Sequence, residues 1–487
     1  MKLFDYQEDL VNKMVSNLDN YGCCVNFSSM GLGKSAMSIN LMLEHPVENT
    51  LLVVPASIIN SWVIELNKFA NFKIHIYSRH SRIRHLEDAD IVIASYDLLY
   101  LRKTKDSEAA LQSTIHDIYF DRIFMDENQL VKNSSAKRYQ SACLLKGDQK
   151  ILLSGTPISA NSDASTKKEL NNYCALLGID SETFKQIYLR KTVEDISDDM
   201  PKVIYKNKEI IISDEHADFI TQLTSRAEDN NNNNWIEYIR DRFINCGIPE
   251  QEFNNLIFNS NGLVRFNRSR YLLSSPNMFI DYLNKHLITL NPDILEMEKI
   301  QRFDTNHLNK LNNLKRIIKR GNKYLIICNF IDELDMVYDM LYSAGYNIAK
   351  IDGRVSADDR TNIIKSSRFN INELFGGNTK LSALPFDIQE RIYKNHLQVD
   401  IIVANLATVC VGLNFEHFDN LIMYSLPSSY INYTQAMARI VRKSSKFEKV
   451  NIYNMFYKDT IEEDILIKHN AKTERYRNLD NIIADFG

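Results

Sequence analysis

Short apolar runs alternate with longer amphipathic stretches in the first part of the chain. Each run is rich in β-branched residues and ends in polar or turn residues, which is typical of buried strands. The runs are TLLVVP (50–55), DIVIAS (90–95), RIFMDE (122–127) and KILLSGTP (150–157). Because helical stretches lie between them, the pattern predicts a parallel sheet with helices on both faces.

The same alternation returns near the end of the chain. Its runs are YLIICNF (324–330), NIAKIDG (347–353), DIIVANL (400–406), NLIMYSLP (420–427) and VNIYNMF (450–456). The part between, about 193–301, has long helical periodicity and few strand signals. The sequence therefore predicts an α/β fold with two parallel-sheet lobes, 1–192 and 302–487, and a helical insertion between them. A further insertion, about 371–395, interrupts the second lobe.

Composition narrows the class of protein. The 487 residues are 44% hydrophobic and 25% charged, as in ordinary globular proteins. The net charge of −4 gives no global basic field, so contacts with a polyanion must come from local patches. The seven cysteines form no Cys-x-x-Cys pair, which argues against a zinc site and for a reducing compartment. Without an apolar leader or a membrane-length apolar run, we expect a cytoplasmic or nuclear protein that is neither secreted nor membrane-bound.

A glycine-rich turn follows the apolar stretch CCVNF and precedes a helical pattern. It reads SSMGLGKSAMSI (28–39), and strand, glycine turn, Lys-Ser and helix together form a phosphate cradle. Gly31 and Gly33 would let backbone amides approach the phosphates, Lys34 would reach the β- and γ-phosphates, and Ser35 would bind Mg²⁺. Ser28 stands in place of the usual leading glycine, so a chance match is the alternative. The predicted ATP-binding residues here are Met30, Gly31, Leu32, Gly33, Lys34, Ser35 and Ala36.

Two carboxylates end the strand in FMDENQ (124–129). Asp126 can hold Mg²⁺, and Glu127 can polarise the attacking water. A pair of solvated carboxylates at a strand end is the alternative interpretation, which the upstream phosphate loop disfavours.

Two later motifs complete the candidate site. Ser154, Gly155 and Thr156 follow the next predicted strand and could sense the nucleotide. In QAMARIVRK (435–443), Arg439 and Arg442 are three residues apart, so a helix would place them on one face. Such a pair suits a γ-phosphate presented by another lobe. A basic helix end on the surface is the alternative.

In this order the motifs resemble those of superfamily-two helicases, and within them the SWI/SNF-type DNA-dependent ATPases. The resemblance covers nearly the whole chain, and the stretch at 188–202 separates this family from generic RNA helicases. The matching segments are LFDYQ (3–7), MGLGKS (30–35), 51–69 with Trp62, 90–99, 121–140, 152–161, 188–202, 324–330, 351–360, 409–415, 435–442 and 457–466.

The resemblance implies two RecA-like lobes with ATP and Mg²⁺ between them and DNA across the opposite rim. Its catalytic residues would be Lys34, Asp126, Glu127, Gln435, Arg439 and Arg442, with Ser35 and Asp126 on the metal and Gln7 on the adenine. Coupling residues would be Gln129, Ser154, Gly155, Thr156 and Gly412. DNA-binding residues would be Pro55, Ser57, Ser95, Tyr96, Phe330, Gly353, Arg354 and Thr408. Such contacts go mostly to phosphate and sugar, so binding should be salt-sensitive and sequence-tolerant.

Departures from the family concern Ser28-Ser29, the segment 427–432 and the tetrad's Ala-His, which is Asn128-Gln129 here. Gln129 can still donate and accept hydrogen bonds. Lacking appended chromatin-reading domains, the chain resembles compact viral or phage versions, and we expect a monomer. The leading hypothesis is an ATP-dependent translocase on duplex or branched DNA. The alternatives are a strand-separating or branch-migrating helicase and a DNA-binding pseudo-ATPase that regulates transcription.

Overall fold

Two parallel sheets form the framework of the protein. The computed structural model describes residues 2–100, 113–224, 234–258, 262–290, 299–368, 399–410 and 413–486. The first sheet contains β1 (Cys23–Asn26), β2 (Thr50–Val54), β3 (Ile74–Ile76), β4 (Ile91–Ser95), β5 (Tyr119–Asp126), β6 (Lys146–Leu153) and β7 (Tyr188–Leu189). The second contains β8 (Lys202–Ile210), β9 (Tyr324–Cys328), β10 (Ile348–Ile351), β11 (Ile401–Asn405), β12 (Asn420–Met423) and β13 (Lys449–Tyr457).

Strand order runs β3-β4-β2-β5-β6-β1-β7 in the first sheet and β10-β11-β9-β12-β13-β8 in the second. Neighbouring strands pair in parallel, as β2 does with β4 and β5, and β9 with β11 and β12. The predicted α/β fold with two parallel-sheet lobes is therefore confirmed. In such sheets the carboxyl ends of the strands share one edge, where ligands bind.

Helices cover both sheets and fill the segment between the lobes. Those of the first lobe are Asp5–Tyr21, Lys34–Glu44, Ile59–Asn67, Ile83–Glu87, Lys137–Ala142, Asp163–Leu177 and Ser181–Ile187. The middle segment has Asp214–Thr224, Asn234–Asn245, Glu250–Phe258, Gly262–Ser274 and Pro276–Leu290. The second lobe has Asn309–Ile317, Ile331–Ser343, Ala357–Arg368, Leu406–Val409, Tyr430–Met437, Ile461–Arg477 and Leu479–Ala484. Among the described residues, no helix is long and apolar enough to cross a membrane.

The middle segment also contains a strand that the sequence analysis missed. β8 pairs in parallel with β13 along its whole length, from Lys202 opposite Lys449 to Ile210 opposite Tyr457. Residues 202–210 therefore belong to the second sheet, although they were assigned to the helical insertion. The exact domain boundaries, near 192 and 302, stay predictions, and the predicted insertion at about 371–395 lies outside the described residues.

The apolar runs are buried on both faces, as parallel strands require. In β2, Leu51 and Val53 pack in one hydrophobic cluster, whereas Leu52 and Val54 pack in the cluster on the opposite face. The first of these clusters continues into the second lobe and includes Met423 of β12. Apolar packing therefore joins the two lobes.

The last helices of the chain strengthen this junction. The Tyr476 hydroxyl donates to the carbonyl of Ile158 in the first lobe. Nη1 of Arg190 donates to Asp480 over 2.5 Å, and the Arg190 side chain is only 8% exposed. The two lobes are thereby held facing each other across the edge where the candidate motifs lie.

Candidate functional site

The turn between β1 and the following helix has the backbone shape of a phosphate loop. Gly31 and Gly33 both have a φ of 82°, in the left-handed region that L side chains rarely adopt. A Cβ atom on Gly33 would also lie 2.3 Å from Nε2 of Gln7. The helix begins at Lys34, and its first N–H groups have no partners within the helix. Backbone donors and a positive helix end therefore meet at this turn.

The Lys34 ammonium group is folded back onto the loop. Nζ donates hydrogen bonds to the carbonyl oxygens of Ser28, at 2.7 Å, and Ser29, at 3.1 Å. Burial lowers the pKa of Lys34, and the carboxylates of Glu127 and Asp126 oppose that shift. Phosphate oxygens would replace two neutral carbonyl partners by charged ones, which form stronger hydrogen bonds with an ammonium group.

Gln7, the predicted adenine-binding residue, ties the first helix to this loop. Its Nε2 donates to the carbonyl of Leu32 over 3.0 Å, and its Oε1 accepts from the backbone N–H of Phe4 over 3.1 Å. The rings of Phe4 and Tyr6 stack beside it with centroids 6.1 Å apart. Nζ of Lys443, from the second lobe, lies 4.0 Å from the Phe4 ring centroid. Gln7 thus positions the loop, and its contact with a base stays a prediction.

Asp126 ends β5 in a buried position. Its Oδ2 accepts from Nε1 of Trp62 over 3.0 Å, and its Oδ1 accepts from the backbone N–H of Glu127 over 2.9 Å. Burial and the adjacent Glu127 carboxylate raise the pKa of Asp126 to about 7. The sequence pattern marks Trp62 only as part of a matching family segment and does not predict its contact with this carboxylate.

Glu127 is contacted from both lobes. It has a φ of 52°, which is unusual for a residue with a side chain. Its Oε2 accepts from Nε2 of Gln129 over 2.7 Å, and its Oε1 accepts from Nε2 of Gln435 over 3.2 Å. Gln129 in turn accepts at Oε1 from the Ser154 hydroxyl over 2.6 Å. We call the chain Gln435–Glu127–Gln129–Ser154 the glutamine relay.

Asn128, next to the relay, is fully buried but makes no such contact. Neither its Nδ2 nor its Oδ1 has a hydrogen-bond partner among the described residues. Leaving a buried amide unpaired is unfavourable by about 1–3 kcal/mol. The two substitutions in the tetrad therefore differ. The Gln129 amide makes a hydrogen bond with its nitrogen and with its oxygen, whereas the Asn128 amide makes neither.

The turn after β6 packs directly against the phosphate loop. A Cβ atom on Gly155 would lie 2.4 Å from Cγ of Met30 and 3.2 Å from Nζ of Lys34. The backbone N–H of Thr156 donates to the Ser154 hydroxyl over 3.0 Å. Of the predicted coupling residues, Gly412 lies outside the described residues, and the others join the relay or touch the loop.

The prediction that a helix carries Arg439 and Arg442 is wrong. The helix Tyr430–Met437 ends before both of them. Instead, Nη2 of Arg439 donates to the carbonyl of Cys410 over 2.6 Å, and Nε of Arg442 donates to the carbonyl of Ala438 over 3.0 Å. These bonds to backbone oxygens fix the guanidinium groups without helical geometry.

The segment that carries both arginines still lies against the glycine-rich loop. Burial, with the charge of Arg442, lowers the pKa of Arg439 to about 10, and the charge of Glu127 opposes the shift. The backbone of Val441 reaches the phosphate loop, since a Cβ atom on Gly31 would lie 3.3 Å from its carbonyl oxygen. The second lobe therefore brings the segment that carries both arginines against the loop of the first.

The donor set fits magnesium that arrives with a nucleotide. Among the described residues, no group of three or more His, Cys, Asp and Glu side chains could hold a metal alone. Mg²⁺ usually binds through one or two carboxylates, substrate phosphates and water. Asp126, with Ser35 on the first turn of the helix, supplies such a partial set.

The residues predicted to bind DNA all follow the carboxyl ends of strands. Ser57 and Gly353 are exposed and Pro55 and Phe330 are partly buried, whereas Ser95, Tyr96 and Thr408 are buried. The Tyr96 hydroxyl donates to the backbone carbonyl of Asp126 over 2.8 Å, so it supports the end of β5 that carries the two carboxylates.

Arg354 is exposed but already paired. Its guanidinium donates to Asp335 over 2.8 Å and to Asp352 over 2.6 Å. These hydrogen bonds lower the pKa of both carboxyl groups and raise that of Arg354. A phosphate would have to compete with two carboxylates for this cation.

The first sheet divides these roles along its edge. Asp126 ends β5, Ser154 follows β6 and the phosphate loop follows β1, and these three strands are neighbours. Pro55 and Ser95 follow or end β2 and β4, on the other side of β5. Nucleotide and nucleic-acid candidates thus occupy adjoining halves of one edge.

Both lobes of the chain are similar to known protein families. A model of the SNF2-related domain matches residues 6–179, and a model of the helicase conserved C-terminal domain matches residues 309–444. The chain is 20% identical to the ATP-dependent helicase FUN30 of Saccharomyces cerevisiae, with 100% of this chain and 47% of that protein covered. It is 22% identical to the DNA repair and recombination protein RAD54B of Homo sapiens, with 91% and 50% covered.

A third relative is the ISWI chromatin-remodeling complex ATPase ISW1 of S. cerevisiae, 21% identical, with 97% of this chain and 40% of that protein covered. The chain thus spans half or less of the length of these relatives. The SWI2/SNF2 ATPase core of Sulfolobus solfataricus in complex with dsDNA is 18% identical, with 99% of this chain and 93% of that chain covered and a TM-score of 0.37. The chain carries an SNF2-related domain followed by a helicase conserved C-terminal domain, and it is homologous to the SWI/SNF-family ATPases.

Proposed function

We propose that the protein is an ATP-dependent DNA translocase that couples hydrolysis to movement along duplex or branched DNA. The glutamine relay carries this proposal. It joins Gln435 of the second lobe to Glu127, and Glu127 through Gln129 to Ser154. A change in the distance between the lobes would therefore change the hydrogen bonds on the carboxylate that faces the attacking water.

The chemistry follows from the charges around this carboxylate. Lys34 would bind the β- and γ-phosphates, and Arg439 and Arg442 would stabilise the charge on the transferred group from the second lobe. Ser35 and Asp126 would hold Mg²⁺, which would neutralise phosphate charge when ATP is bound. Each oxygen of Glu127 accepts a hydrogen bond from a glutamine, and these two bonds would fix the orientation of the carboxylate that polarises the attacking water.

DNA would bind along the other half of the carboxyl edge. Sequence-tolerant contacts fit the exposed backbone near Ser57 and Gly353 better than the buried side chains of Ser95, Tyr96 and Thr408. The predicted monomer, the cytoplasmic or nuclear location and the viral- or phage-like origin stay predictions.

ATP hydrolysis measured with and without duplex DNA, and with RNA, tests the proposal. We expect stimulation by duplex DNA, and loss of hydrolysis in Glu127→Gln with ATP binding retained. Stimulation by RNA alone would favour an RNA helicase, and unchanged hydrolysis in Glu127→Gln would refute the assigned site. A forked DNA substrate then distinguishes translocation from strand separation.

A further inference from the structure

A cluster of positive charge at the far end of the first sheet has no role in the site described above. Residues 78–85, which we call the basic loop, read SRHSRIRH, and the last three of them begin the helix Ile83–Glu87. Arg79, Arg82 and Arg84 are all exposed, as are His80 and His85. Within the described part of the chain, none of the three arginines pairs with a carboxylate, and Nε of Arg84 donates only to His85. These cations are therefore available to an outside anion.

The basic loop has a defined shape. Tyr77 and Leu86 flank it and are buried, at 2% and 0% exposure. The Ser81 hydroxyl accepts from the backbone N–H of Ser78 over 2.9 Å and lies 2.9 Å from Nε2 of His75. The arginines thus project from a turn that is anchored at both ends.

Acidic residues follow the basic loop along the chain. The helix Ile83–Glu87 leads from the carboxyl end of β3 back to the start of β4, where Glu87, Asp88 and Asp90 are found. Asp90 accepts from the backbone N–H of Lys73, just before β3 begins. Asp90 therefore lies at the opposite edge of the sheet, whereas Glu87 and Asp88 lie within one helical turn of Arg84.

The position of the loop indicates its ligand. It follows β3, the outermost strand, and the neighbouring strands β4 and β2 end at Ser95 and just before Pro55. Strands lie about 4.8 Å apart, so the loop is roughly 10 Å from the end of β2 along the same edge. That distance corresponds to about three steps along one strand of a duplex.

We propose that the basic loop is a phosphate-binding extension of the DNA surface, with Arg79, Arg82 and Arg84 contacting the duplex backbone beyond the residues near Ser57. The inference rests on the proposed binding of DNA. Guanidinium groups bind phosphate oxygens in a bidentate way, and such contacts add affinity without sequence preference. The loop lies three strands from Asp126, so it would hold DNA without touching ATP.

The test replaces all three arginines by glutamine in the full chain and measures binding of a labelled duplex over a salt series. Two to three lost phosphate contacts should make the slope of log affinity against log salt shallower by about 2–3, and weaken binding roughly 60-fold or more at 0.1 M salt. ATP hydrolysis without DNA should be unchanged. The matched control replaces Lys13, Lys68 and Lys185 by glutamine. This changes the net charge by the same amount, but these three lysines already pair with carboxylates.

Each outcome decides the inference. The inference is overturned if the triple arginine variant shows the same salt slope and affinity as the lysine control. The proposed function still stands in that case if duplex DNA stimulates hydrolysis by the wild type. Wild-type protein that binds no duplex would overturn both. If poly-glutamate displaces the duplex from the wild type as well as unlabelled duplex does, the loop is a site for acidic protein and the inference fails.

Discussion

Replacing Gln129 by Met would show whether the glutamine relay transmits the state of the second lobe. Met has a similar length but neither donates to Glu127 nor accepts a normal hydrogen bond from Ser154. Both bonds are short, at 2.7 and 2.6 Å, and Gln129 is only 7% exposed. In the variant, the Glu127 carboxylate and the Ser154 hydroxyl therefore each lose one hydrogen-bond partner.

The size of the effect follows from these two bonds. A hydrogen bond to a charged group contributes about 1.5–3 kcal/mol and a neutral one about 1 kcal/mol. If the bond to Glu127 is what orients the carboxylate, its loss should lower the maximal DNA-stimulated rate roughly 10- to 100-fold. The KM for ATP should change little, because Gln129 does not contact the phosphate loop.

The assay is steady-state ATP hydrolysis at saturating DNA, with urea unfolding of the same samples. Asn128→Ala is the matched control, since Asn128 is equally buried but has no partner among the described residues. We expect that control to keep its rate and its free energy of unfolding, or to gain stability. A Gln129→Met enzyme with the wild-type rate and stimulation would refute the relay.

Two further predictions concern stability and are measured by urea unfolding. Lys310 and Glu462 form a buried ion pair of 2.5 Å, so Lys310→Met, which leaves the Glu462 carboxylate without its cation, should lower the free energy of unfolding by about 3–5 kcal/mol. Adding Glu462→Leu should recover most of that loss. Equal losses in the single and the double variant would contradict this expectation. Burial lowers the pKa of His469, whose Nε2 donates to the carbonyl of Pro427, from 6.5 to about 4. The unfolded chain then binds this proton more readily, so His469 should contribute a loss of about 2 kcal/mol in stability from pH 7 to pH 5. The difference in stability between the wild type and a His469→Gln variant should therefore change by that amount over the same range.

Much of the fold was predictable because the decisive signals are local. A buried parallel strand is a short apolar run, and its end is marked by polar or turn residues within the same few positions. This identified β2 and β9, and the phosphate loop after β1. The order of the motifs along the chain then indicated two lobes before any contact was known.

The features that the sequence did not predict depend on contacts between distant residues or on the position of a strand at the edge of a sheet. β8 carries Lys202, Lys206 and Lys208, because an exposed edge strand is protected by charge, and this hides its strand pattern. The bond from Trp62 to Asp126 joins positions 64 residues apart, which no local pattern shows. Both features became evident only from the pairing of whole elements.

The relay also explains why a glutamine can stand where the SWI/SNF family often has a histidine. The Gln129 amide donates to Glu127 and accepts from Ser154 at every pH. A neutral imidazole can also donate and accept, but an imidazolium has no acceptor. A Gln129→His variant should therefore keep DNA-stimulated hydrolysis at pH 8. It should lose stimulation as the pH falls through the range near 6.5 where histidine ionises, while the wild type does not. The measurement is the ratio of rates with and without duplex DNA from pH 5.5 to pH 8. Parallel pH profiles for the two proteins would show that the residue at position 129 is not the link between hydrolysis and DNA.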